Sequence, residues 1–226
     1  MKIIDNVYLV PGVTANCYLL AGPDGLTLID TGLPYSQKTI LRYMAGKGWS
    51  AREIKRILIT HADLDHYGCL AALQKESGAC TYASRVEAEA IAKGKSSRPI
   101  DRRRNNTLQR LLIAFFSRIM KATPFPVDEI LTEGQVLPAL GGLQVVETPG
   151  HSPDHISFFA PSAQILFCGD SMRSDNQGLH TSRSRNDWDP EQANASVQKQ
   201  ARLGAQIVCP GHGPVVREAG NKFPIW

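Results

Sequence analysis

The chain contains no Cys-x-x-Cys pair, no apolar run of about 18 residues and no repeat visible as sequence identity. Each absence removes a class of protein. Its five cysteines (Cys17, Cys69, Cys80, Cys168 and Cys209) are odd in number and scattered, which argues against a disulfide framework and against a thiolate zinc knuckle. They read as small buried hydrophobes. Without a long apolar run there is no helical membrane span, and with 42% apolar residues the composition is too rich for a disordered chain. The opening MKIIDNVYLV carries Asp5 where a signal peptide needs unbroken apolar sequence, so a cytoplasmic location is expected. At 226 residues a single domain spanning 1–226 is expected.

The net charge of +4 is small but unevenly placed. Between Lys93 and Lys121 nine basic residues face only Asp101, a local +8 that leaves −4 for the remaining chain. Residues 93–127 thus read as a basic helical insert in an acidic body. Leu108, Leu111, Leu112, Phe115 and Ile119 recur at helical spacing, which predicts an amphipathic helix over Asn106 to Met120. Four roles compete for it: a covering helix with solvated arginines, a lid or homodimer contact, a peripheral membrane contact, and nucleic-acid binding. The last is disfavoured, because the aromatics lie on the apolar face and do not interleave with the arginines.

Elsewhere strands alternate with helices. Short apolar runs at Ala15 to Leu20, Leu26 to Ile29, Ile57 to Ile59, Gly134 to Leu137, Leu143 to Glu147, Ile156 to Phe159, Ile165 to Cys168 and Ala205 to Cys209 predict strands. Ser36 to Lys47 and Pro190 to Leu203 have helical spacing. The class is α/β, with two strand-rich halves flanking the basic connector.

Chemistry-bearing residues gather at the ends of these runs, where open α/β folds build their sites. The densest case is ILITHADLDH, in which His61, Asp63, Asp65 and His66 fall within six residues. Such crowding of ligand types gains nothing unless a cation binds there. LIDTG presents Asp30, ETPGH presents His151, FCGD presents Asp170 and VCPGHGP presents His212 in the same manner.

In order and spacing these motifs resemble the metallo-β-lactamase superfamily over about Val7 to Pro214, and NCYLLAGPDGLTLIDTG looks most like its glyoxalase II and lactonase branch. The resemblance implies an αβ/βα sandwich of two mixed β-sheets flanked by helices, with two divalent metal ions at one sheet edge. It assigns His61, Asp63 and His151 to metal 1 and Asp65, His66 and His212 to metal 2, with Asp170 bridging; Asp65 and Asp170 are the catalytic candidates. Asp30 is expected to hydrogen-bond a ligand imidazole. In the family the connector borders the pocket, so Phe115 and Phe116 are candidate substrate-pocket residues. Tyr67, next to His66, and His180, in the polar loop after Asp170, are further candidates by adjacency, with core packing the competing role for Tyr67 and plain solvent exposure for His180. His155 reads as structural rather than as a ligand.

One position departs from the family pattern H-x-H-x-D-H: Asp63 stands where the second His belongs. Two divalent cations, three aspartates and a bridging hydroxide then sum to a neutral cluster where the His variant would carry +1. A neutral cluster is the weaker Lewis acid, and the harder ligand moves preference from zinc toward iron or manganese. The competing reading is that Asp63 abolishes site 1 and leaves one metal. The implied activity is hydrolysis of an ester-like bond, thioester or lactone preferred, by a metal-bridging hydroxide, on an apolar or anionic small molecule. The chain stops at Trp226 without glyoxalase II's C-terminal helical domain, so that enzyme's substrate is not expected. The alternatives are a metal-dependent phosphodiesterase or nuclease, a diiron redox protein, which Asp63 would suit, and a non-catalytic binding module.

Overall fold

Strands buried on both faces explain why the sequence shows continuous apolar runs rather than alternation. The computed structural model describes residues 1–98, 121–182 and 187–224. A first sheet takes its strands in chain order: β1 (Lys2–Ile4), β2 (Val7–Val10), β3 (Cys17–Gly22), β4 (Gly25–Ile29), β5 (Ile54–Leu58), β6 (Cys80–Ala83) and β7 (Glu129–Ile130). β8 (Val136–Leu137), β9 (Leu143–Glu147), β10 (Ile156–Ala160) and β11 (Ile165–Gly169) begin a second sheet, β12 (Met172–Asp175) and β13 (Gly178–Thr181) form a separate ribbon, and β14 (Ile207–Pro210) and β15 (Val216–Arg217) complete the second sheet in the order β15-β14-β11-β10-β9-β8. Both sheets are mixed: β4, β5, β6 and β7 pair in parallel, as do β11 and β14, and the other pairs are antiparallel.

The helices are α1 (Gln37–Ala45), α2 (Leu64–Tyr67), α3 (Leu70–Ser77), α4 (Arg85–Ala92) and α5 (Pro190–Ala201). The two-residue period of each strand divides the core. Leu19, Leu26, Leu28 and Ile57 face Ile40 and Met44 of α1, Leu70 and Leu73 of α3 and Ile91 of α4. The opposite faces, with Tyr18, Leu20, Ile29 and Leu58, meet Val145, Phe158 and Phe167 between the sheets. Phe159, Leu166 and Val208 pack outward against Val197 of α5. This is the expected α/β sandwich, with helices outside and two sheets within.

Boundaries moved where a polar residue sits inside a strand. β5 starts at Ile54 because Arg56, buried within it, pairs with Asp24 at 2.7 Å and donates to Thr27 Oγ1 at 3.0 Å. α5 starts where expected: Pro190 opens it and the Asp189 side chain caps the amides of Glu191 and Gln192 at 3.0 Å. The proposed helix over Asn106 to Met120, with Phe115 and Phe116, lies outside the described residues. Among the described residues no helix is long and apolar enough to cross a membrane.

Candidate metal centre

The parallel pairs set the position of the site. β4 and β5 end on one edge, and β9, β11 and β14 also run in a common direction, so the turns after them converge. Those turns carry Asp30, His61 to His66, His151, Asp170 and His212. Two groups of ligand atoms result: His61, His151 and Asp170, and Asp65, His66 and His212, with the atoms of each group within 4.8 Å of one another. Asp170 lies between them. Its Oδ1 is 3.3 Å from His66 Nε2, and its Oδ2 is 3.6 Å from His151 Nε2 and 3.5 Å from His212 Nε2. Asp65 Oδ2 lies 3.2 Å from His212 Nε2. Asp63 Oδ2 lies 3.5 Å from His61 Nε2 and 3.4 Å from His151 Nε2.

Hydrogen bonds around the rim determine which ring nitrogen of three histidines is available. Asp30 Oδ2 lies 2.8 Å from His66 Nδ1, and a carboxylate only accepts, so Nδ1 carries the proton. The Thr60 hydroxyl donates to Asp30 at 2.9 Å and therefore accepts from His61 Nδ1 at 3.0 Å. The Ser182 hydroxyl donates to Asp187 and accepts from His151 Nδ1 at 3.1 Å. In each ring Nε2 is left with its lone pair turned to the centre. His61 Nε2, His66 Nε2 and Asp170 Oδ1 are buried with no hydrogen-bond partner. Buried polar atoms rarely stay unpaired, and three converging ones are what a cation would satisfy. The residues therefore fit a divalent metal.

The electrostatics agree. Burial opposes charge on His66, yet Asp170 and Asp30 raise its pKa well above the usual imidazole value. Burial likewise opposes charge on His151, but hydrogen bonds to Asp187 and Asp63 push it up to about 9. A field that holds protons so firmly favours cations. His155 behaves oppositely. Burial, then repulsion from His61 and His151, holds it well below the usual value. Its Nε2 accepts the Asp170 amide at 3.1 Å and its Nδ1 bonds Thr148 Oγ1 at 2.8 Å, so it seats the Asp170 turn and has no nitrogen left for a metal.

Asp30 sits at φ 57° at the end of β4, where it also accepts the Thr60 amide at 2.9 Å. Asparagine tolerates that backbone region, so Asp30→Asn tests the carboxylate itself. Its expected effect is metal affinity weakened about 10–100-fold with little change in folding, read by chelator competition.

A cavity of about 360 Å³ opens over the centre, and beyond the ligand groups its wall is Arg98, Arg173, Ser174 and Ser182. Tyr67 and His180 are not part of this lining. Tyr67 is buried in the core, its hydroxyl 3.4 Å from the Lys95 carbonyl and its pKa pushed to about 12 by burial. It follows His66 on α2, and one helical step of about 100° turns it away from the site. His180 is held at the ribbon's edge by Asp175 at 2.7 Å. Phe115 and Phe116 are outside the described residues.

Several residues that shape the site had no strand-end signal. Glu87, fully buried on α4, accepts Ala62 N at 2.7 Å, Ser152 Oγ at 2.7 Å and Asp154 N at 3.2 Å. Asn16 Nδ2 donates to the carbonyls of Pro210 and Gly213 at 2.9 and 2.8 Å, fixing the His212 turn. Gly211 must lack a side chain there, since a Cβ would stand 2.3 Å from Asp170 Oδ1.

The fold and this clustering of His and Asp define a metal-binding hydrolase site, and the chain belongs to the family described as the metallo-beta-lactamase superfamily, whose profile matches residues 10–212. It is similar to a probable metallo-hydrolase, YflN, of Bacillus subtilis, with 27% identity across 93% of this chain and 81% of that protein. An atrochrysone carboxyl ACP thioesterase of Aspergillus fumigatus shares 32% identity over 105 residues, covering 46% of this chain and 31% of that one. Among solved structures, a metallo-beta-lactamase family protein of Thermus thermophilus superposes with TM-score 0.73 at 23% identity, covering 98% of this chain and 78% of that one. A Cronobacter sakazakii metallo-beta-lactamase with a HARLDQ motif gives TM-score 0.71 at 25% identity, covering 93% and 76%.

Proposed function

We propose that this chain is a dinuclear metal-dependent hydrolase of ester-like bonds, with thioesters or lactones as its substrate class. The observation that carries the proposal is the pair of ligand groups sharing the Asp170 carboxylate between them. His61, Asp63, His151 and Asp170 would hold one metal, and Asp65, His66, His212 and Asp170 the other. When bound, the metals supply Lewis acidity and make water a nucleophile near neutral pH. Zinc is the first candidate, with iron and manganese brought in by the carboxylate of Asp63.

The chain's own groups do the rest. Asp65, on the cavity wall, would orient the attacking water. Asp170 keeps the two ligand groups in register, and Asp30, Thr60 and Ser182 hold the imidazoles in the tautomer that presents Nε2 inward. Arg173 on the cavity wall favours an acyl substrate bearing negative charge. The thioesterase likeness of the Aspergillus protein supports the thioester class, and so does the similarity to a thioesterase, pkgB, of Emericella nidulans, 24% identical over 89% of this chain and 46% of that protein.

The test is a panel of acyl thioesters, lactones and bis-nitrophenyl phosphate offered to metal-loaded protein. Turnover of thioester or lactone at least tenfold above the phosphate is expected. Turnover of the phosphate alone would overturn the ester assignment and select a phosphodiesterase.

A further inference from the structure

Asp63 is tied to the basic connector. Ser96 Oγ donates to Asp63 Oδ1 at 2.8 Å, Arg98 Nε donates to the same oxygen at 3.1 Å, and Arg98 Nη2 donates to Oδ2. The guanidinium thus grips the carboxylate as a two-pronged fork along its outer edge. The inner side of Oδ2 faces the Nε2 atoms of His61 and His151 at 3.5 and 3.4 Å. A carboxylate oxygen has two lone pairs, so Oδ2 can accept from Arg98 with one and face the metal position with the other.

Charge sharpens the point. With Asp63 counted alone, two divalent cations, three aspartates and a hydroxide sum to zero. Arg98 adds one positive charge in contact with Asp63, offsetting at that ligand the charge difference between aspartate and histidine. The pair is well enclosed: the Arg98 side chain is 24% exposed and that of Asp63 13%. Enclosure of a charge pair is tolerated when its geometry is good and its remaining polar atoms are paired, which Ser96 helps to provide.

We propose that Arg98 is a positioning residue for metal site 1, holding Asp63 with one oxygen lone pair turned inward and cancelling its charge, so that Asp63 and Arg98 together stand in for an imidazole ligand. This rests on the reading of Asp63 as a ligand. It tempers the selectivity expected from Asp63 alone: the oxygen ligand remains, but a carboxylate shared with Arg98 is a weaker donor to a hard ion such as manganese, so the shift away from zinc is reduced.

The test reads metal binding, not turnover. Wild type, R98A, R98K, D63H and the double variant R98A/D63H are loaded with zinc and manganese in competition, and bound metal per chain is measured by mass spectrometry, with thermal melts to confirm folding. Wild type is expected to hold two zinc ions. R98A should shift the manganese-to-zinc ratio upward by about tenfold or more, and R98K, which keeps the charge but not the fork, should fall between them. D63H should weaken the first site, because Arg98 then faces a cationic cluster, and adding R98A should restore it. The role is overturned if R98A leaves the ratio within twofold of wild type, if R98A gains a metal that wild type lacks, or if the two substitutions act additively. One metal or fewer in wild type would instead overturn the dinuclear reading on which the proposal stands.

Discussion

On the dinuclear reading, Asp170→Ala is expected to reduce bound metal from two ions to fewer than one per chain and to lower turnover by about 10³-fold or more, because several kcal/mol of transition-state stabilisation would depend on the metals. The carboxylate reaches His66, His151 and His212 from one position, at 3.3, 3.6 and 3.5 Å. Its removal therefore takes a ligand from both groups at once and leaves their imidazoles to repel one another. Burial alone would raise its pKa, yet His66, His61 and His151 hold it well below the usual carboxylate range, so it stays ionised as a ligand must. Asp170→Asn separates charge from shape. It preserves the volume and the backbone bond to His155, so an equal loss of metal in the asparagine variant assigns the effect to the negative charge. Metal analysis and turnover on the same preparation decide the matter, and full activity in either variant would mean that the centre is misassigned.

What the sequence made legible follows from how strands carry information. Apolar runs bounded by Gly, Pro and Asp located most of the strands, and ligand types at their ends located the convergence, since direction within a sheet fixes where strand ends meet. Two kinds of residue escaped. The first are residues whose partner is distant in sequence, such as Glu87, which reads as one more polar position on a short helix until α4 is packed beside the turn after β9. Arg98 is another, absorbed into the charge of the connector although it contacts Asp63. The second are neighbours of site residues that adjacency assigned to the pocket. Tyr67 turns into the core one helical step after His66, and His180 lies opposite Arg173 across the ribbon but is captured by Asp175. Sequence proximity says nothing about direction. Arg56 shows the same limit for boundaries, because a charged residue paired inside β5 interrupts the apolar pattern that marks a strand.

Glu87→Ala is expected to cost about 2–6 kcal/mol, since the buried Ala62 N and Ser152 Oγ each lose a partner at about 1–3 kcal/mol, while the half-buried Asp154 N can turn to water. For a chain of this size that is a fall in melting temperature on the order of 10 °C. The donors are Ala62 N, Ser152 Oγ and Asp154 N, so one carboxylate ties the turn carrying His61 and Asp63 to the turn carrying His151. Glu87 lies in the first turn of α4, where the helix dipole favours a negative charge otherwise costly to bury. Asp154 returns the contact by accepting Val86 N at 2.9 Å, which closes the unit on itself. Because the two turns belong to different sheets, loosening this tie should separate the halves of the first ligand group more than those of the second. Metal loss should therefore begin at the site of His61 and His151, with affinity reduced about 10–100-fold there, while the Asp65, His66 and His212 site keeps its ion. Glu87→Gln retains one acceptor but presents an amide to donors on the other side, so its melting temperature should fall between those of wild type and the alanine variant. Calorimetry with stepwise chelation measures both quantities, and an alanine variant that melts within 2 °C of wild type would show that the two turns are held together by something other than Glu87.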